Sequence, residues 1–244
     1  MYLLNNHLRN YIKNKIGEVK SKEQEEEILH DDIKLLKEDI KQKKISSKKH
    51  WEIIVRILYA EILGYNTEFA HSFIVNSTHS QNYVVKRISY LACVLILESS
   101  SPLKMMIISS VQKDLENSCL INKIMALNII NEILDAQTFS SFVDLLLKAQ
   151  KHSHGMISKK ALCCLIKIER MMPGQVEGFD QIMESALVHS DFSIVMSVVP
   201  FYLQMVKKDA NLYSHLLSVF MQIFEQIRNK KVNFQYVYNG KHAP

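Results

Sequence analysis

Glycine and proline are scarce in this chain: 6 Gly and 4 Pro among 244 residues, where average usage gives roughly 17 and 12. A β-sandwich or barrel needs such residues at its many turns, so the shortage excludes both. It also excludes nucleotide folds that cradle phosphate on a glycine-rich turn, and neither GxGxxG nor GxxxxGK occurs. Long apolar runs are missing too. Uncharged stretches such as Phe192 to Val206 fall short of the ~18 strongly apolar residues of a membrane span. The opening residues, Met1 to His7, are too few and too polar for a secretory signal. Cysteine is sparse: Cys93, Cys119, Cys163 and Cys164 lie in apolar runs without a CxxC. They are expected as buried free thiols of a protein in the reducing cytosol.

What is present is a helical pattern almost throughout. An apolar share of 48% supports a core rather than disorder. Leu29, Ile33, Leu36 and Ile40 make one stripe on a charged helix. Ile54, Ile57, Leu58 and Ile62 make the face of a second, which Gly64 is expected to cap. Asn66 or Thr67 can start a third with Phe69, Phe73 and Ile74. Val84, Ile88, Leu91, Ala92 and Leu95 are expected as the core face of a fourth. Ser101 and Pro102 fit the cap and first residue of the next. Ile121 to Leu134 is helical and apolar nearly all round. Further helices carry Phe139 to Leu146, Ile157 to Ile168, Val176 to Ala186, Phe192 to Val206 (capped by Asp191, kinked by Pro200) and Asn211 to Arg228.

The most apolar helices repeat. Lys86, Lys123 and Lys160 each open one, at a spacing of 37 residues. That period fits an all-α solenoid of HEAT-like or armadillo-like helix pairs, wound as a right-handed superhelix, in which each pair buries its face only by stacking on its neighbours. Three segments follow: charged N-terminal helices over 1–50, helical repeats over 51–229 and an irregular tail over 230–244.

No catalytic constellation stands out. The 10 His form no HExxH. His152 and His154 share a loop without a second ligand pair and are expected to face solvent, so no metal and no cofactor is expected. No GxSxG occurs. Glu25, Glu26, Glu27, Asp31 and Asp32 are expected on a solvated helix face. The basic signal is sharper: Lys41, Lys43, Lys44, Lys48 and Lys49 crowd one inter-helix segment. A solvated loop accounts for them. So would attraction to anionic lipid, worth about 1 kcal/mol per charge near a membrane, or to nucleic acid phosphates.

Several segments resemble the adaptins, the large chains of heterotetrameric clathrin-adaptor-type complexes, and within them the epsilon type of the fourth complex. Ile16 to Lys22 followed by Glu25 to Glu27 is similar to their opening "KSK…EE" segment. Val55 to Tyr65 with Phe69 is similar to "RLxYxExLGYxxxF". Lys86 to Ala92 resembles "KRxGYLA", with Ser89 in place of Gly. Lys113-Asp114-Leu115 resembles "KDL", and Lys159-Lys160-Ala161 resembles "(K/R)KA". The run from Tyr213 through Phe220, Ile223 and Gln226 to Tyr236, Tyr238, Ala243 and Pro244 tilts the match to epsilon.

The resemblance implies an N-terminal trunk portion of a non-enzymatic scaffold. Its partners would be a sigma-type small chain, a beta-type large chain, a mu-type medium chain and an Arf-family GTPase. It would sort cargo for intracellular protein transport as a peripheral coat on the cytosolic face of trans-Golgi and endosomal membranes. By position, Lys48, Lys49 and Arg56 lie near the alpha chain's phosphoinositide-binding cluster, which implies a weak anionic-lipid contact. Gly17 stands where alpha and gamma chains use an Arg to receive dileucine signals, which argues against that recognition. Other coat or transport-receptor scaffolds, and a nucleic-acid-binding helical repeat, remain open; the near-balance of 30 Lys+Arg against 25 Asp+Glu speaks against nucleic acid.

Overall fold

In the computed structural model, residues 21–42, 44–97, 101–229, 237–238 and 241–242 are described. The N-terminal segment around Gly17, the positions of Lys43, Ser99 and Ser100, and most of the tail lie outside them.

The helices start where short polar side chains can take up unpaired backbone N–H groups. Ser21 accepts from the Gln24 N–H and opens α1 (Lys22–Asp39). Ser46 accepts from Lys49 and opens α2 (Ser47–Ile62). After α3 (Glu68–Ser77), Asn82 takes the N–H groups of Val84 and Val85 and opens α4 (Tyr83–Ile96). There follow α5 (Lys104–Glu116), α6 (Leu120–Ile133), α7 (Val143–Gln150) and α8 (Gly155–Met171). Then come α9 (Phe179–Leu187), α10 (Phe192–Lys208), opened by Asp191, and α11 (Leu217–Arg228).

Two compact units divide this set, the first reaching Ser110 and the second starting at Val111. In the first, α2 packs against α1 and α4, and α3 packs against α4. In the second, α8 packs against α6, α7 and α10, and α9 packs against α10. Helices thus contact their neighbour and their next-but-one, the pattern of stacked helix pairs, and the fold class is the all-α helix-pair solenoid. Ile53, Ile54 and Ile57 of α2 are fully enclosed, as are Ile157, Ala161 and Leu165 of α8. Each such branched side chain contributes about 1.5–3 kcal/mol relative to exposure.

Several local expectations differ. Ser101 accepts from the Leu103 N–H, but the helix begins only at Lys104, so Pro102 sits in the turn ahead of it. The expected helix over Phe139 to Leu146 opens as a 3₁₀ turn, Phe139–Ser141. That turn is tied by Asp135, whose carboxylate accepts from the Gln137 and Thr138 N–H groups. The helix expected from Asn211 likewise starts with a 3₁₀ turn, Ser214–Leu216. Pro200 lies within α10, which runs unbroken to Lys208. In the tail, Val237–Tyr238 and Lys241–His242 pair as two short antiparallel strands, where no regular structure is expected.

Only Cys93 and Cys164 are buried; Cys119 and Cys163 are exposed. Cys163 and Cys164 are successive helical residues about 100° apart around the axis, and Cys164 takes the inward position. Burial pushes the thiols of Cys93 and Cys164 up to about 12. His152 and His154 are half-buried rather than solvent-facing, and His152 Nδ1 accepts from the His154 N–H at 3.0 Å.

Gly64 ends α2 at φ +88°, in the left-handed region expected of a cap. A Cβ there would meet nothing within 4 Å, so only backbone strain opposes a side chain. Gly64→Ala is therefore expected to destabilise the protein by ~1 kcal/mol, and Gly64→Asn by less. Urea unfolding of the three proteins checks the order.

Candidate protein-interaction surface

The first unit brings the sequence-predicted basic residues together, but not as a surface cluster. Arg56 is 8% exposed and Asp32 of α1 is 4% exposed. Arg56 Nε donates to Asp32 Oδ2 at 3.0 Å and its Nη2 to Asp32 Oδ1 at 2.5 Å, a bidentate pair. Its Nη1 lies 3.6 Å from Asp39 Oδ2. Asp39 also receives Lys49 Nζ at 2.8 Å, and that ammonium donates to Gln42 Oε1 as well. Asp32 is therefore no part of a solvated acidic face. It is the carboxylate that pins α1 to α2.

A guanidinium held by carboxylates beneath the surface is not offered to a lipid headgroup. Of Lys48, Lys49 and Arg56, only Lys48 is exposed, as are Lys41 and Lys44.

The outward sides of α2 and α4 have a different character. On α2, Val55 and Tyr59 are half-exposed and Ile62 is 75% exposed. On α4, Tyr83 is 61%, Leu91 49% and Leu95 57% exposed, with Arg87 the one cation among them. Residues 83, 87, 91 and 95 recur every fourth position and share one helix face. The buried side of α4 is Val85, Lys86, Ser89, Tyr90, Ala92, Cys93 and Ile96. Of the expected core face Val84, Ile88, Leu91, Ala92 and Leu95, only Ala92 is buried; Val84 and Ile88 are half-buried, and Leu91 and Leu95 face outward. Polar Lys86 and Ser89 take buried positions here, so the apolar pattern does not identify the inner face. Ser89 fills the tight inward position, its hydroxyl donating back to the Val85 carbonyl at 2.7 Å. Two adjacent helices with unburied apolar stripes are the mark of a protein-binding surface. In the second unit, α11 also carries an exposed apolar stripe, Leu217, Met221, Phe224 and Ile227.

Among the described residues, no group of three or more His, Cys, Asp or Glu is placed to hold a metal ion. Among them too, no helix is long and apolar enough to cross a membrane. An open groove of about 710 Å³ lies between α1 and the turn after α2, lined by Glu25, Leu29, His30 and Tyr65 among others.

Comparison with known proteins agrees with the helix-pair architecture. A family model described as the adaptin N terminal region matches residues 25–238. The AP-4 complex subunit epsilon of Arabidopsis thaliana is 28% identical over 229 residues, which cover 94% of this chain and 24% of that protein. The AP-4 complex subunit epsilon-1 of Mus musculus is 28% identical over 224 residues, 92% of this chain and 20% of that protein. An AP-2 complex subunit alpha-1 of Arabidopsis thaliana is 24% identical over 209 residues, 83% of this chain and 21% of that protein. The chain thus spans a quarter or less of these curated relatives. A homology model of the full-length AP-3 complex in an intermediate open conformation shares the fold. It has a TM-score of 0.59 at 21% identity, covering 73% of this chain and 31% of that one. With the family model matched over most of its length, this chain belongs to the adaptin N-terminal family.

Proposed function

We propose that the chain acts as the N-terminal trunk of an adaptor-complex large subunit of the epsilon type. It scaffolds a sigma-type small chain, a mu-type medium chain and a beta-type large chain. The complex sorts cargo and works with an Arf-family GTPase as a peripheral coat on the cytosolic face of trans-Golgi and endosomal membranes. No catalytic step belongs to this role. The observation that carries the reading is the family match over 25–238, and the apolar stripes of α2 and α4 supply a seat for a partner. We assign that seat to the small chain. Co-expression with sigma-type small chains tests it: a stoichiometric complex on size exclusion supports the scaffold reading, and a chain that captures none removes it.

Membrane contact is the weaker part of the role. Its cations are Lys41 and Lys44, exposed between α1 and α2, and Lys48, exposed in the first turn of α2. At about 1 kcal/mol per charge, the triple Ala variant is expected to lose most binding to phosphatidylserine-containing liposomes. Arg56→Lys, altering an internal cation, is expected to leave liposome binding unchanged. A sedimentation assay in which the triple variant binds normally would remove the contact.

A further inference from the structure

The two units treat their cations differently. In the first, Arg56 and Lys49 are matched by Asp32 and Asp39. In the second, the outward side of α8 carries Lys160, Cys163, Lys167 and Arg170, spaced as one helix stripe, with Lys159 beside them. None of these cations is paired with a carboxylate among the described residues. Lys160 Nζ instead donates to the Asn128 Oδ1 at 2.5 Å, and Lys167 Nζ to the backbone carbonyl of Asn131, both across the seam on α6. Lys123 Nζ donates to the Leu115 carbonyl at 3.0 Å. The two carboxylates on these helices bond to neutral donors, and Glu169 Oε2 has no hydrogen-bond partner among the described residues. Glu132 Oε1 accepts from the Asn131 amide, and Glu169 Oε1 from the Gly174 N–H. Neutral oxygens fix these ammonium groups in place without cancelling their charge. Glu132 and Glu169 keep their charge by the same argument, so α6 and α8 together set Lys123, Lys159, Lys160, Lys167 and Arg170 against two carboxylates, an ordered row with a positive excess along the α6–α8 seam.

We propose that this seam is a docking strip for an acidic, extended peptide segment of a partner protein. Lys160 to Arg170 spans ~15 Å along the helix, the length of about five residues of extended chain. Lys160 already holds the Asn128 carbonyl oxygen, and the amide nitrogen of that side chain remains a donor for a passing peptide carbonyl. A membrane is met by lysines that reach outward with a mobile head, whereas Lys160 and Lys167 are half-buried and drawn sideways onto α6. A single-stranded nucleic acid needs aromatic platforms for its bases, and neither α6 nor α8 contains Phe, Tyr or Trp. The proposal concerns a different surface from the α2 and α4 stripes and does not depend on the small-chain seat.

The test is fluorescence anisotropy of a labelled hexaglutamate peptide with the chain. Binding that weakens with salt is expected. In the variant combining Lys160→Gln and Lys167→Gln, each glutamine amide replaces the ammonium donor without its charge. Affinity should then fall about fivefold, as two charge contacts of ordinary exposed strength are lost. Lys207→Gln with Lys208→Gln, at the end of α10, is expected to bind as the parent does. Thermal melts establish that both variants fold. No hexaglutamate binding by the parent, or an equal loss in both variants, overturns the proposal. So does binding to phosphatidylserine vesicles that the α8 variant loses while hexaglutamate is ignored, which would assign the row to a membrane.

Discussion

Asp32→Ala is expected to cost the first unit about 3 kcal/mol, at the low end of the ~3–5 kcal/mol for breaking a buried ion pair from one side. The reason lies in what remains. Arg56 stays beneath the surface at 8% exposure, with both bonds to Asp32 gone and Asp39 left at 3.6 Å. A guanidinium that has lost its bidentate partner either tolerates poorer solvation or forces α1 away from α2. At about 2–4 °C per kcal/mol for a domain of this size, the melting temperature should fall by roughly 10 °C. Trp51, the one tryptophan, opens α2 close by and reports the unfolding by fluorescence. Replacing both partners together, Asp32→Leu with Arg56→Met, should recover most of the loss, since no charge then needs a partner. A single variant costing under ~1 kcal/mol would mean that water reaches the pair.

The second large effect concerns association rather than stability. Leu91→Asp with Leu95→Asp places two carboxylates on the outward stripe of α4, where both leucines are about half exposed. If a small chain seats there, each desolvated carboxylate opposes docking by about 2 kcal/mol or more, the scale of an interface hot spot. Together that is a loss of more than ~500-fold in affinity, seen as loss of co-purification. The same residues contribute little to the core, so the melting temperature should move by only a degree or so. Met221→Asp on α11 is the matching control, an equally exposed apolar position on another helix. Capture that survives the α4 variant but not the control would move the seat to α11.

Element identity was legible in the sequence because the signals were local. Capping residues such as Ser46, Asn82 and Asp191, and the positive-φ turn at Gly64, act within a few residues of themselves. Which side of a helix faces inward is not local. On α8, lysines interrupt the apolar pattern, and Ile157, Ala161, Cys164, Leu165 and Ile168 were identifiable as core. On α4 polar Lys86 and Ser89 take buried positions, and choosing the inner face needs the position of α2 and α3. Sequence alone therefore places Leu91 and Leu95 in the core, where the structure leaves them exposed. Asp32 was hidden for a related reason. Its partner Arg56 lies 24 residues away on another helix, and no pattern within α1 distinguishes Asp32 from the solvated Asp31 beside it.

The layering of helices onto neighbours and next-but-one neighbours has a consequence for how the chain is made. The ties between helices join residues close in sequence: Arg56 to Asp32 over 24 residues, Thr78 to Ser110 over 32, Cys164 to Leu127 over 37. Among the described residues, the side-chain hydrogen bonds between helices reach no further than 37 residues. On a ribosome adding ~5–20 residues per second, chains fold N-terminal part first, and each helix here would meet its partners within seconds of their emergence. The loop-closure entropy is correspondingly small. Birth order and stacking order coincide, so the Asp32–Arg56 clasp would close while α8 is still being translated.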